Sequence, residues 1–388
     1  MRTYVLTDVS REHWLESFEL DSSAFPGQPA EASTWAVSKR RLSGGRRDGV
    51  DLIDIDNGSL RMSIVPTRGM GLWKGSFRGL PLGWKSPVVD GPVHPSFVNL
   101  AASGGIGWLD GFDELLVRCG LESNGAPSGN YTLHGKIANI PASYVAVHIA
   151  EEPPYEITIE GHVDEARLFG LQVRMITKIS TVPGSNKLTV RDEFVNLKDQ
   201  TAEIQVLYHW NFGPPFLEEG SRFVAPIKVI TPRDSQAQRS LSNHDVYGAP
   251  QPGFSEECYF YELHAKSSDQ DRTLALLRNK AGDQGIALRY SRSQLPAFTL
   301  WKNTGSHRDG YVTGLEPATN YPNPRPFEQA RGRVVTLPPD GSHVTETTLE
   351  VFDSAEGVAA AEAEIELIQA LGTPQVHPTP TEPYAPEA

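Results

Sequence analysis

Three short segments of the chain place a proton-transfer group at the end of a strand-like run: YTLHGK around His134, VLYHWNFG around His209, and GYVTGLEPATNYPNPR around Glu316. Proline restricts the backbone of the residue before it, so Pro317 limits where Glu316 can point. Two imidazoles and a held carboxylate are what sugar acid–base chemistry needs: one group removes a proton while another delivers one. Other readings of the same residues stay open. His134 also reads as a loop histidine bonded to backbone, His209 as a satisfied core histidine, and Glu316 as the partner of an arginine.

Side-chain alternation in AEIQVLYHWNFG puts His209 and Asn211 on one face of a strand and Tyr208, Trp210 and Phe212 on the other. Polar groups buried without partners are costly, so a polar cavity on the His209 face accounts for the pattern, and Asn211 joins the candidate substrate contacts. Gly135 permits a tight turn and close backbone approach directly after His134. Arg68 in VPTRGMG carries a guanidinium able to fork to two sugar oxygens. The crowded charges of LDGFDELLVRCGLESNG read for the most part as solvated or paired with one another, and Glu114 is taken from them as the one facing a ligand. Trp301 and Lys302 in AFTLWKN offer an aromatic face beside a donor, though Trp301 reads equally as plain core, and Asn320 follows Glu316 in the same loop. No metal site is expected; a divalent ion, if one bound, would take His134, His209 and Glu316, which lack any short ligand spacing.

These residues require a scaffold of many strands. From residue 49 the sequence alternates apolar and polar residues, and DLIDIDNGSLRMSIV around Asn57-Gly58 has the signature of a β-hairpin. Strand-like runs then recur every ten to fifteen residues, about sixteen in all, separated by Pro, Gly and Asn turns. The fold class expected is all-β, a large antiparallel β-supersandwich with short peripheral helices. REHWLESFEL (11–20) reads as an amphipathic helix, GGIGWLDGFDELLVRCGLESNG (104–125) as a short helix or helical loop over one mouth of the sandwich, and 356–372 as a surface helix. The expected organisation is 1–48 as an N-terminal helix and extended segment packed on the sandwich, 49–354 as the sugar-binding sandwich, and 355–388 as a helix and Pro-rich tail. The tail is expected to be mobile or to lie across a neighbour.

Composition narrows the function classes. The 35 basic and 48 acidic residues give a formal net charge of −13, which disfavours nucleic acid as a partner and favours a neutral or modestly charged small molecule; with the acid–base residues above, the partner expected is a small-molecule carbohydrate. No apolar run approaches the roughly 20 residues of a membrane span, and the start lacks a basic segment followed by an apolar stretch, so no membrane partner and a cytoplasmic location are expected. Self-association as a homo-oligomer is left open. Cys119 and Cys258 lie far apart and read as buried free thiols. Neither GGIG nor SGGRR has the lysine and hydroxyl of a phosphate loop, and no GxSxG elbow presents a serine nucleophile.

The segments LHGK, LYHWNFG and GLEPATN resemble, in order and context, the galactose mutarotase-like or aldose 1-epimerase-like superfamily across residues 50 to 350. VPTRGMG, GWLDGFDELLVRCGLESNG, LHGKIANIPA and DGYVTGLEPATNYPNPR are similar to a bacterial subgroup described mainly as a domain of unknown function. The resemblance implies a supersandwich that binds sugar on its concave sheet. It further implies Glu316 as the base at the anomeric hydroxyl, His209 as the acid at the ring oxygen, His134 as a helper, and Arg68 as a substrate-orienting group. No cofactor is implied. A carboxylate beside His209 is expected to raise its pKa and keep it protonated. Two further activities fit such a scaffold: a lyase or isomerase acting on a keto sugar, with Arg68 or a metal stabilising the enolate, and a carbohydrate-binding protein without turnover.

Overall fold

The computed structural model describes residues 1–25 and 34–386. Period-two alternation dominates: along Ile157–Ala166 and Lys187–Asn196 every second side chain is buried. A strand patterned this way must cover its apolar face, and two large sheets do so for each other. Among the described residues ten strands form one sheet and fourteen the other. Val190 and Phe194 of the first share a core with Tyr208, Trp210 and Phe212 of the second. Each such buried side chain contributes roughly 2–3 kcal/mol by leaving water. The all-β supersandwich expected from the sequence is the fold observed. No helix among the described residues is long and apolar enough to cross a membrane.

Five adjacent strands of the larger sheet carry the site: β1 (Leu116–Leu121), β2 (Ala202–Phe212), β3 (Glu257–Leu263), β4 (Ala297–Thr304) and β5 (Tyr311–Ala318), in the spatial order β3, β4, β5, β2, β1. Their register aligns a row across the outer face, in which Asn211 opposes Gly314, Gly314 opposes Trp301, and Trp301 opposes Cys258. Glu316 opposes Thr299 one pleat away.

Local corrections follow from pairing. The 11–20 segment is not a helix: His13–Trp14 pairs with Arg2–Asp8 in the smaller sheet, and Phe18–Asp21 pairs with Ala36–Arg41 in the larger one. Phe18 and Leu20 face inward while Glu19 and Asp21 face water, so ladder bonds and a two-residue period outweigh the helical spacing of Trp14 and Phe18. The chain start thus contributes strands to both sheets. Within 104–125 the one helical segment is Gly107–Gly111, the turn Ala102–Gly105 before it being broken by positive φ at Ser103 and Gly104, and β1 takes the Leu116–Leu121 half.

The hairpin at Asn57-Gly58 forms as expected, with Asn57 Oδ1 accepting from the Ser59 and Leu60 amides. Ala355–Gln369 is the expected surface helix, capped by Ser354 and burying Val358, Ala361, Ile365 and Ile368. The Pro-rich tail is docked, contrary to expectation. Gln375–Val376 adds a parallel strand beside Ile227–Pro232, Tyr384 Oη donates to Glu262 at 2.9 Å, and Ala385 is buried against Phe260, Ala297 and Tyr321.

Candidate active site

Side-chain alternation on β2 is as the sequence requires. Tyr208, Trp210 and Phe212 enter the inter-sheet core, and His209 turns to the outer face. There it lines a cavity of about 320 Å³ together with His134, Glu316, Thr299, Trp301, Trp108 and Phe112. That volume lies at the small end of the range for ligand pockets and suits a single monosaccharide. Wider hollows exist elsewhere, around Asp54 and Lys74, around Arg191 and Gln294, and around Trp84 and His307, but none of these joins a histidine to a carboxylate.

His209 and Glu316 meet directly, with Nε2 and Oε1 3.2 Å apart and both side chains buried. The two atoms are not aligned as a hydrogen bond, so Oε1 has no partner. Gly314 is the condition for this approach. A Cβ at that position would stand 2.4 Å from Glu316 Oε1 and 3.1 Å from His209 Cε1.

The second nitrogen of His209 is committed. Asn211 Nδ2 donates to the carbonyls of Glu114 and His209, which orients its amide so that Oδ1 accepts from His209 Nδ1 at 2.6 Å. Nδ1 therefore carries a proton, and Nε2 is the nitrogen that changes state. His134 is held in the same manner: its Nδ1 donates to the Asn124 carbonyl at 2.8 Å, leaving Nε2 to accept from a ligand. Its backbone has φ +57°, and a Cβ on the following Gly135 would lie 2.2 Å from the Gly120 carbonyl. The expected tight turn after His134 is present.

Burial sets the proton inventory. It lowers His134 to about 4, against the opposing hydrogen bond to the Asn124 carbonyl, so this ring is a neutral acceptor at physiological pH. Burial, and after it the charge of His134, pushes His209 well below the ordinary histidine range. Burial likewise pushes Glu316 well above the carboxylate range, with Glu256 adding to the shift and Arg233 opposing it. The expectation that a carboxylate raises the pKa of His209 is reversed, because desolvation disfavours charge on both partners. The pair shares one proton in its neutral form.

Five sequence candidates do not reach the cavity. Arg68 is fully buried and saturated, donating to Glu114 Oε1 at 2.5 Å, to the Val93 and Gly111 carbonyls and to Asn139. Glu114 spends its other oxygen on the Asp113 amide. Arg68 and Glu114 are therefore an internal strut, and Arg68 is not placed to orient a sugar or stabilise an enolate. Asn320 is locked in a reciprocal amide pair with Asn124, behind His134. Lys302 lies on the opposite face of β4 from Trp301 and donates to the Asn243 and Val246 carbonyls. Asn211 contacts His209 rather than the cavity. Among the described residues, no three His, Cys, Asp or Glu side chains are grouped to hold a metal ion.

Sequence reasoning missed Trp108, Phe112, Thr299, Cys258, Arg233 and Glu256. Trp108, Phe112 and Trp301 surround the His209 ring at centroid distances of 6.2, 5.1 and 5.3 Å. Thr299 Oγ1 and Trp108 Nε1 are buried without partners. Unpaired polar atoms at the wall of an otherwise aromatic cavity mark positions for ligand oxygens.

A family described as a domain of unknown function (DUF4432) matches residues 47–351, most of the chain. The protein belongs to this family. In three dimensions it is similar to a candidate aldose 1-epimerase from Klebsiella pneumoniae, at 37% identity over 98% of each chain and a TM-score of 0.94. A galactose mutarotase-like protein from Clostridium acetobutylicum shares the fold at 16% identity, over 82% of this chain and 98% of that one, with a TM-score of 0.58. A candidate aldose 1-epimerase from Escherichia coli K12 does so at 12% identity, over 78% and 99%, with a TM-score of 0.51. No curated protein matches the chain in sequence. This DUF4432 member thus has the galactose mutarotase-like fold that its motifs resemble, with His209 and Glu316 on the outer face of the larger sheet.

Proposed function

We propose that this protein is an aldose 1-epimerase-like isomerase, independent of cofactor, that interconverts the anomers of a free monosaccharide. The observation that carries the reading is the buried contact of His209 Nε2 with Glu316 Oε1, 3.2 Å apart in a cavity of monosaccharide size. Glu316 accepts the proton of the anomeric hydroxyl. As C1–O1 becomes a carbonyl, the C1–O5 bond breaks, its electron pair goes to O5, and His209 Nε2 supplies the proton there. Rotation about C1–C2 and reclosure from the other face reverse both transfers.

This cycle needs the charged form of the pair, carboxylate and imidazolium, whereas burial favours the neutral form. The two differ by one proton moved within the pair. Sugar hydroxyls entering the cavity supply the dipoles that the apolar walls lack and so favour the charged form. His134 Nε2 accepts from a hydroxyl, and the aromatic walls cover the apolar ring face. Exchange NMR on equilibrated aldoses tests the proposal directly, and failure to accelerate anomer exchange of any aldose would overturn it.

The pH profile follows from the proton count. The pair works only while it holds one proton, so kcat/KM should fall on both sides of a maximum. His134 adds to the acid limb: once protonated near pH 4 it can no longer accept and it repels a second charge on His209. A profile that stays flat well below pH 4 would contradict the role given to His134.

Gly314→Ala tests the packing of the pair. The methyl group displaces the Glu316 carboxylate by on the order of 1 Å, and a misplacement of that size lowers activity by about a hundredfold. The thermal midpoint should change little, since the added carbon meets side-chain ends rather than backbone.

A further inference from the structure

At the cavity wall two charged side chains unused by the acid–base cycle lie together. Arg233 follows the strand Ile227–Pro232, and Glu256 immediately precedes β3. Arg233 Nη2 donates to Glu256 Oε1 at 2.9 Å, and Arg233 Nε donates to Asp234 Oδ2 at 2.9 Å. The other Glu256 oxygen accepts from Trp301 Nε1 at 2.7 Å, which ties this carboxylate to the indole at the cavity wall. Among the described residues Arg233 is the one lysine or arginine lining the cavity, and two carboxylates already engage it.

An incoming phosphate or carboxylate would find the guanidinium engaged and would face surplus negative charge. A hydroxyl meets the opposite situation. Ionised carboxylates accept about four hydrogen bonds, so Glu256 keeps capacity for a neutral donor, and 49% of its side chain is exposed. Its charge also reaches inward, where it adds to the burial that holds the Glu316 carboxyl neutral.

We propose that Glu256 acts as a charge filter: fixed by Arg233 and Trp301, it admits neutral monosaccharides and rejects phosphorylated or carboxylated ones. The inference rests on the reading of the cavity as a sugar site.

The test uses the full-length protein, with binding followed by calorimetry and turnover by exchange NMR. The probes are glucose, galactose and xylose against glucose 6-phosphate and glucuronate. At low salt at least one neutral sugar should be preferred over both anionic ones by about a hundredfold or more, and the preference should shrink as ionic strength rises. Glu256→Gln keeps an acceptor for Trp301 and removes the charge, so it should reduce the preference about tenfold or more without lowering the thermal midpoint. Equal use of anionic and neutral sugars, a ratio unmoved in Glu256→Gln, or no binding of either class would overturn the filter. Neutral sugars bound selectively but not interconverted would sink the epimerase reading and leave the filter standing. Faster interconversion of glucose 6-phosphate than of any neutral sugar would do the reverse.

Discussion

Glu316→Gln is expected to slow anomer exchange by about two to four orders of magnitude, the loss that follows removal of a positioned base. Glutamine has nearly the shape of glutamate, so the cavity and its sugar affinity should change only a few-fold. The kinetic signature is a loss in kcat with KM nearly preserved, since the missing interaction belongs to the transition state. His209→Gln should fall by a similar factor from the other end of the pair. Because neither residue completes the cycle alone, the double variant should be little slower than the slower single one. The contact at 3.2 Å makes this non-additivity a direct consequence of the geometry. If Glu316→Gln retained near wild-type exchange while still binding sugar, the acid–base assignment would be wrong.

The residues that were legible in the sequence are those fixed by a two-residue period and by turn chemistry. Alternation on β2 separated His209 from Tyr208 and Trp210, Pro317 marked Glu316 as a restrained carboxylate, and Gly135 marked the turn that presents His134. The errors share a physical origin. Applied to AFTLWKN, the same alternation puts Thr299 with Trp301 and sends Lys302 to the other face, where backbone carbonyls receive it.

Arg68 and Glu114 have the residue types of a ligand clamp, but 46 positions of sequence hide the fact that they satisfy each other. Arg233 and Glu256 flank strands without any periodic signal, and only the register of β3 against β4 brings Glu256 to Trp301. Helical spacing at 11–20 lost to ladder pairing, a non-local term that no short window contains. The docked tail was hidden for the same reason, since Tyr384 and Ala385 find their partners more than 60 positions away.

Arg118→Met is expected to destabilise the protein by about 3–5 kcal/mol, the cost of leaving one member of a buried ion pair without its partner. Arg118 lies on β1, on the face opposite Cys119, and points into the space between the sheets. Its Nε and Nη2 donate to Asp192 at 2.5 and 2.9 Å, its Nη2 also reaches Thr177, and its Nη1 reaches the Met70 carbonyl. Tyr208, the neighbour of His209, donates to the same carboxylate at 2.6 Å. Asp192 and Thr177 belong to the smaller sheet, so one guanidinium bridges both layers directly behind the acid–base pair.

Methionine fills much of the arginine volume but offers no donors, and the Asp192 carboxylate would keep Tyr208 alone among these partners. Arg118→Met with Asp192→Leu should recover a large part of the loss, because the unpaired charge is then gone. Urea unfolding of the wild type, both single variants and the double variant measures the coupling. A coupling below about 1 kcal/mol would place the pair among those that contribute little, as exposed bridges do. The double variant also separates stability from chemistry. If the network serves only to hold the sheets, that variant should refold with anomer exchange nearly intact; if it fixes the β2 backbone through Tyr208, exchange should fall even where stability has returned.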